Sequence, residues 1–209
     1  MKASPVTVDA LAADLAARAV TRAGPHPARV AVDGAPTAGI TDLADALAAC
    51  LTGRGVPVLQ VPAGGFLRAA SLRLERGRTN PDAYYEDWLD LRALTREVLG
   101  PAGPGGTGRV LPSLWDPATD RATRAAYVTL PGHAVVVVCG TFLLGAGLEF
   151  DVAVHLMQSD AALARRTPAD LAWTLPAFAR YRDEVMPEYQ ADLVVRADDP
   201  RHPALVTSL

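Results

Sequence analysis

Eight consecutive residues, Gly34-Ala35-Pro36-Thr37-Ala38-Gly39-Ile40-Thr41, carry the spacing of a loop that cradles phosphate. The motif is G-x-x-x-x-G-K-[S/T] between a strand and a helix. Its backbone N–H groups hold phosphate oxygens, its lysine neutralises their charge, and its hydroxyl ligates Mg²⁺. Here both glycines and Thr41 stand in register, and the lysine position holds Ile40. The only lysine is Lys2, far from the loop. Abundant arginine, alanine, glycine and proline match a GC-rich coding bias, but arginine was open to position 40 and isoleucine stands there. Gly34, Thr37, Ala38, Gly39, Ile40 and Thr41 could still hold an anion through backbone N–H groups at the helix N-terminus, where the dipole survives without the lysine. Pro36 removes one of those donors. Asp33 ends the strand beside the loop. It either caps that turn or serves as the nearest acid for a metal or base role.

These residues need a strand before them and a helix after them, and the sequence supplies both. Arg29–Asp33 is a short apolar strand, and Thr41–Gly53 has helical spacing with glycine at its end. Val56–Val61 is a second strand. Pro81–Leu99 repeats apolar residues at helical spacing after a proline suited to a first turn. Pro101–Gly108 is a loop, and Val110–Trp115 with Ala126–Leu130 suggests a hairpin. The continuous apolar run Ala134–Cys139 fits a strand buried on both faces of a parallel sheet. Asp151–Met157 is another strand, in which His155 reads as a satisfied core histidine. Ser159 caps a helix over Asp160–Arg166, Thr167-Pro168 opens the next helix through Tyr181, and Asp192–Arg196 closes the sheet. Strands alternating with helices predict a three-layer α/β fold, mainly parallel, with ligands at the strand carboxyl ends.

The 209 residues suffice for one domain over 1–209, and residues 1–24 read as an amphipathic helix packed on it through Ala10, Leu11, Leu15, Ala16 and Val20. No apolar run is long enough to span a bilayer, and no signal-peptide pattern opens the chain. A net charge of −3 argues against nucleic acid as a partner. Cys50 and Cys139 stand in apolar contexts without metal-ligand spacing, as buried thiols of a reducing cytoplasm do.

Taken in order, these segments resemble the uridine-kinase-like P-loop nucleoside kinases, which are related to phosphoribulokinase. The resemblance covers roughly 28–200. It rests on Val30–Gly34 into the loop, Arg76-Gly-Arg78 and Asn80–Asp90, Val138–Leu144, Ala164–Arg166, Ala179–Tyr181, and Ala191–Pro200. It implies the P-loop kinase fold with a helical lid, and ATP and Mg²⁺ as cofactors, none of them tightly held here. Thr41 is then the Mg²⁺ hydroxyl. Arg76, Arg78, Tyr84, Tyr85 and Asp87 fall on the nucleoside side, and Arg165, Arg166 and Arg180 in the lid. Where the family has its substrate-side aspartate, this chain has Gly64 and Gly65. Where the family has an acid after the Walker-B-like strand, it has Cys139.

Phosphoryl transfer is mostly positioning and charge stabilisation, so losing the lysine, the base and the acid removes its usual means. The expected function is a uridine-kinase-like protein weak or inactive in ATP-dependent transfer that keeps a nucleoside or phosphate pocket. Its partners would be a nucleoside or phosphate-bearing small molecule, and another protein. One alternative is an active nucleoside phosphotransferase routed through Asp33 and the lid arginines. A second is a non-catalytic interaction module.

Overall fold

A computed structural model describes residues 2–208. Seven strands form one sheet: β1 (Lys2–Pro5), β2 (Ala28–Gly34), β3 (Val58–Pro62), β4 (Val135–Gly140), β5 (Val152–Met157), β6 (Leu193–Arg196) and β7 (Ala204–Ser208). Their order is β1-β7-β6-β5-β2-β4-β3. The five from β6 to β3 run parallel, while β7 is antiparallel to β6 and to β1. The centre is built from the most apolar runs. Every residue of β2 is buried, as are Val135–Cys139 of β4. A strand covered on both faces needs no polar alternation. The sheet extends past β6, the expected closing strand, because β7 and β1 add a two-stranded antiparallel edge.

One face of the sheet carries α1 (Val8–Arg22) and α2 (Ile40–Gly53). Thr7 caps α1 by accepting the Ala10 N–H at 3.1 Å. The buried stripe of α1 is Leu11, Ala12, Leu15, Ala16 and Ala19, so Ala10 and Val20 from the expected stripe lie exposed. The other face is covered by α3 (Pro81–Glu86), the helical turns of 91–102 and α5 (Leu175–Val185), with α4 (Asp160–Arg166) beside them.

Three local expectations change. The helix expected over Pro81–Leu99 breaks after Glu86, because the backbone there pairs elsewhere. The Trp88 carbonyl accepts the Arg68 N–H at 2.9 Å, and the Asp90 N–H donates to the Phe66 carbonyl at 2.9 Å. Asp90 then caps a new helical turn through the Ala93 N–H, so it shares no helix face with Asp87. The expected hairpin resolves into two-residue ribbons, Arg109–Val110 with Val128–Thr129 and Trp115–Asp116 with Arg121–Ala122. Pro112, which has no N–H, sits between them. Ser159 does cap α4, but Thr167 closes that helix rather than opening the next. Its hydroxyl donates to the Leu163 carbonyl, and 3₁₀ turns over Ala169–Thr174 lead into α5.

Candidate functional site

The loop begins where β2 ends. Gly34 is required there by a close approach: a Cβ would lie 2.8 Å from the Leu156 carbonyl oxygen. Pro36–Ala38 form a 3₁₀ turn, and Gly39, at φ 83°, turns the chain into α2. A left-handed residue at that point favours glycine. Gln158, just past β5, pins the loop. Its side-chain oxygen accepts the Thr37 hydroxyl at 2.7 Å, and its amide nitrogen donates to the carbonyls of Thr37 (3.3 Å) and Ala197 (3.0 Å). No motif flags Gln158 in the sequence. The only signal is its place between the last strand residue and the helix cap Ser159.

In front of the loop, at the carboxyl ends of β2, β3 and β4, lies a cavity of about 330 Å³. The loop contributes Pro36, Ile40 and Thr41, and the β3 exit contributes Pro62, Ala63 and Gly64. The end of β4 and the turn after it contribute Cys139–Phe142, and Leu67, Tyr84, Trp88 and Leu89 close the far side. The three positions where charge was expected, Ile40, Gly64 and Cys139, therefore meet around one space. Among the described residues no Asp, Glu, Lys, Arg or His lines it. Burial pushes the Cys139 thiol up, so it stays protonated at neutral pH. Gly64 has open space where a Cβ would stand, whereas at Gly65 a Cβ would meet the Ser113 hydroxyl at 2.8 Å. Only the first of these two positions has room for the missing carboxylate.

A Mg²⁺ ion prefers several hard oxygen ligands in octahedral geometry. The cavity lining offers it the hydroxyls of Thr41, Tyr84 and Thr141 and no carboxylate, so the side chains present do not fit that ion. Among the described residues no group of three or more His, Cys, Asp and Glu could hold a metal.

Asp33 lies behind the cavity, wholly buried. The sheet register pairs it with His155 of β5 and Gly140 of β4. Its carboxylate accepts the Leu143 N–H at 2.9 Å, the Tyr181 hydroxyl at 3.0 Å and His155 Nδ1 at 2.7 Å. The Tyr181 hydroxyl also accepts the Leu144 N–H at 3.1 Å. Burial, with Asp33 adding to it, drives the Tyr181 phenol far above its ordinary range. These bonds hold the turn after β4 in a conformation that places Phe142 at φ 61°. A bulky side chain is rarely found there, and the two N–H bonds that follow it over-determine the turn.

The nucleoside-side residues divide. Tyr84 is a cavity wall within an aromatic cluster, its ring 5.0 Å from Trp88, 5.4 Å from Phe142 and 5.6 Å from Trp173. Burial raises its phenol, while a bond to Thr141 opposes that. Tyr85 points to the other side of Phe142, under the Arg180 guanidinium at 5.0 Å. Arg76 pairs with Glu86 and Asp87, and Arg78 is exposed. Of the lid arginines, Arg166 binds the Asp198 carbonyl and the Asp199 carboxylate. Arg180 binds Asp82, Glu86 and Glu184. Arg165 is exposed, bonded to the Ala161 carbonyl of its own helix. None of the three lines the cavity.

No protein-family model matches the sequence, and no curated protein matches it. Solved structures do. A possible uridine kinase from Bacillus stearothermophilus superposes with a TM-score of 0.69 at 20% identity, over 88% of this chain and 96% of that one. The fold is that of the uridine-kinase-like P-loop kinases. A protein assigned as a fructose transport system kinase from Silicibacter sp. TM1040 gives 0.61 at 25% identity, over 83% and 94% of the two chains. The YGR205w protein gives 0.56 at 11%, over 96% and 99%. The three-layer α/β architecture expected from the sequence is therefore the observed one. Among the described residues no helix is long and apolar enough to cross a membrane.

Proposed function

We propose that this chain is a uridine-kinase-fold protein that has given up ATP-dependent phosphoryl transfer and keeps the kinase pocket as a small-molecule site. One observation carries the reading: Ile40, Gly64 and Cys139 surround the same cavity, and no ionic side chain lines it. Each charged group lost from such a site costs about 10²–10³ in rate, and the losses act as a unit. Rerouting through Asp33 is disfavoured because its carboxylate is buried and already accepts three hydrogen bonds. Rerouting through the lid is disfavoured because Arg166 and Arg180 are tied to carboxylates.

The test is phosphorylation of uridine and cytidine by ATP or GTP with Mg²⁺. It is run on the unmodified protein, on Ile40→Lys, and on the triple variant Ile40→Lys/Gly64→Asp/Cys139→Asp. The unmodified protein and the single variant should turn over at least about 10³-fold below the ordinary kinase range of roughly 1–100 per second. The triple variant should be the fastest of the three. Ordinary turnover by the unmodified protein would overturn the proposal.

A further inference from the structure

His155 keeps one ring nitrogen free. Its side chain is only 10% exposed, and Nδ1 faces the Asp33 carboxylate at 2.7 Å. A carboxylate can only accept, so the ring proton sits on Nδ1 and Nε2 keeps a bare lone pair. Nε2 has no hydrogen-bond partner. Among the described residues the one side-chain nitrogen or oxygen that is both enclosed and unpaired is the Trp88 indole N–H. The His155 Nε2 is therefore unpaired but open. The space on which His155 opens is a hollow of about 70 Å³ between the loop, β5 and α5.

The backbone brings a carboxylate to the same hollow. Met186, at φ 49°, ends α5 in a left-handed turn, and Pro187–Tyr189 fold back as a 3₁₀ turn packed on β5. Glu188 thereby lines the hollow with His155, half-buried, and its carboxylate has neither a hydrogen bond nor an ion pair among the described residues. The other polar side chains of the lining are occupied. Gln158 spends its amide on Thr37 and Ala197, and the Tyr181 hydroxyl bonds Asp33 and Leu144. Arg182 pairs with Asp160 and Asp183. What stays free is an imidazole lone pair and a carboxylate, and both can only accept. The charge around them agrees. Asp160, Asp183 and Glu188 lie within electrostatic reach of Arg182, and Asp33 stands behind His155, so four carboxylates oppose one guanidinium.

Two acceptors in one small space call for a cation, and the imidazole selects which. Nitrogen donors suit zinc and its neighbours, whereas Mg²⁺ prefers oxygen. A metal-binding histidine almost always gives its other ring N–H to a carboxylate, carbonyl or water, which fixes the tautomer, and Asp33 already does this for His155. The hollow has room for an ion with a few waters.

We propose that this hollow binds a divalent transition-metal ion of the Zn²⁺ class through His155 Nε2 and the Glu188 carboxylate, with water completing its shell. The ion ties the turn after α5 to β5 and, through Asp33, to the turn that carries Phe142. Neither ligand lines the cavity beside Thr41, so the site is independent of phosphate transfer there.

Zn²⁺ and Mg²⁺ are titrated calorimetrically into the untagged protein, and the imidazole nitrogens of the ¹⁵N-labelled protein are followed by NMR. Zn²⁺ should shift His155 Nε2 and leave Nδ1 protonated, with an affinity at least about a hundredfold above that of Mg²⁺. The other three histidines, His26, His133 and His202, serve as controls. Glu188→Gln changes a side chain that bonds nothing, so it should fold normally and weaken Zn²⁺ at least about tenfold. Asp33→Asn should weaken Zn²⁺ about 10–100-fold, because the ring then carries its proton on Nε2. The proposal is overturned if millimolar Zn²⁺ moves only the other three histidines, or if Mg²⁺ binds at His155 as tightly. It is overturned equally if Glu188→Gln binds Zn²⁺ as well as the unmodified protein does.

Discussion

Replacing Asp33 should unfold the site rather than slow a reaction. The carboxylate has no exposure and collects Leu143 N–H, the Tyr181 hydroxyl and His155 Nδ1. Asp33→Ala leaves all three without that acceptor. A buried donor left unpaired costs about 1–3 kcal/mol. The three donors share one acceptor and will partly repair one another, so the expected loss is about 3–5 kcal/mol rather than the full sum. That is a large share of an ordinary domain's 5–15 kcal/mol. Asp33→Asn should lose less, about 1–2 kcal/mol. Its amide oxygen still accepts from Leu143, and His155 can turn a bare Nδ1 toward the new NH₂ by carrying its proton on Nε2. Urea unfolding followed by far-UV circular dichroism, with equal slopes for all three proteins, gives the values. A loss below about 1 kcal/mol for Asp33→Ala would refute the reasoning. So would a nucleoside kinase activity abolished by Asp33→Asn at unchanged stability.

Two other outcomes test the loop and the sheet's lower end. Gln158→Ala removes two bonds to Thr37 and one to Ala197, so amide exchange over 37–41 should speed by tenfold or more while global stability falls by only about 1–2 kcal/mol. Unchanged exchange would show that the loop holds itself. Asp151 pairs with the buried Arg29 at 3.0 Å. Burial alone would raise its pKa, but the hydrogen bonds from Arg29 outweigh that and hold it below the usual carboxylate range. A carboxylate depressed in the folded state stabilises above its unfolded value of about 3.9, and that contribution is lost as pH falls through the folded value. Asp151→Asn should therefore cost stability at pH 7, and its deficit in urea midpoint should shrink below about pH 4. A deficit constant from pH 7 to 2 would contradict the assignment.

The inner sheet was legible because burial on both faces leaves an unbroken apolar run, as in Val135-Val-Val-Val-Cys139, and because glycines frame the loop that follows β2. The edge was not. Lys2–Pro5 carries no strand pattern, and all four of its residues are exposed. It becomes a strand only because β7 offers a free edge. The break after Glu86 was hidden for a related reason. The spacing through Tyr84, Trp88 and Leu91 is truly helical, but segment 66–68 takes the backbone groups that helix would have used. In the site, Ile40, Gly64 and Cys139 could be named from sequence, but their convergence on one cavity needed the register of β2, β3 and β4. The pairing of Asp33 with His155 lies across β2 and β5, 122 residues apart. The unpaired Trp88 N–H depends on three-dimensional surroundings that no spacing encodes.

The three replacements make sense as a set because buried charges come in compensating groups. A loop lysine, a substrate-side carboxylate and a strand-end acid stabilise one another through the metal and phosphates between them. With any one gone, the others become uncompensated charge in a confined space, which costs several kcal/mol. Cys139 is nearly buried and Ile40 packs in the core beneath the loop, so both now contribute packing where an ionic pair would demand a partner. An aspartate at 139 facing Ile40 would be such an orphan, whereas an aspartate there facing a lysine at 40 would not. Stability therefore opposes return to the charged set one residue at a time. The apolar set, in turn, leaves the helix N-terminus, and no side-chain cation among the described residues, to meet any anion that the loop's shape invites.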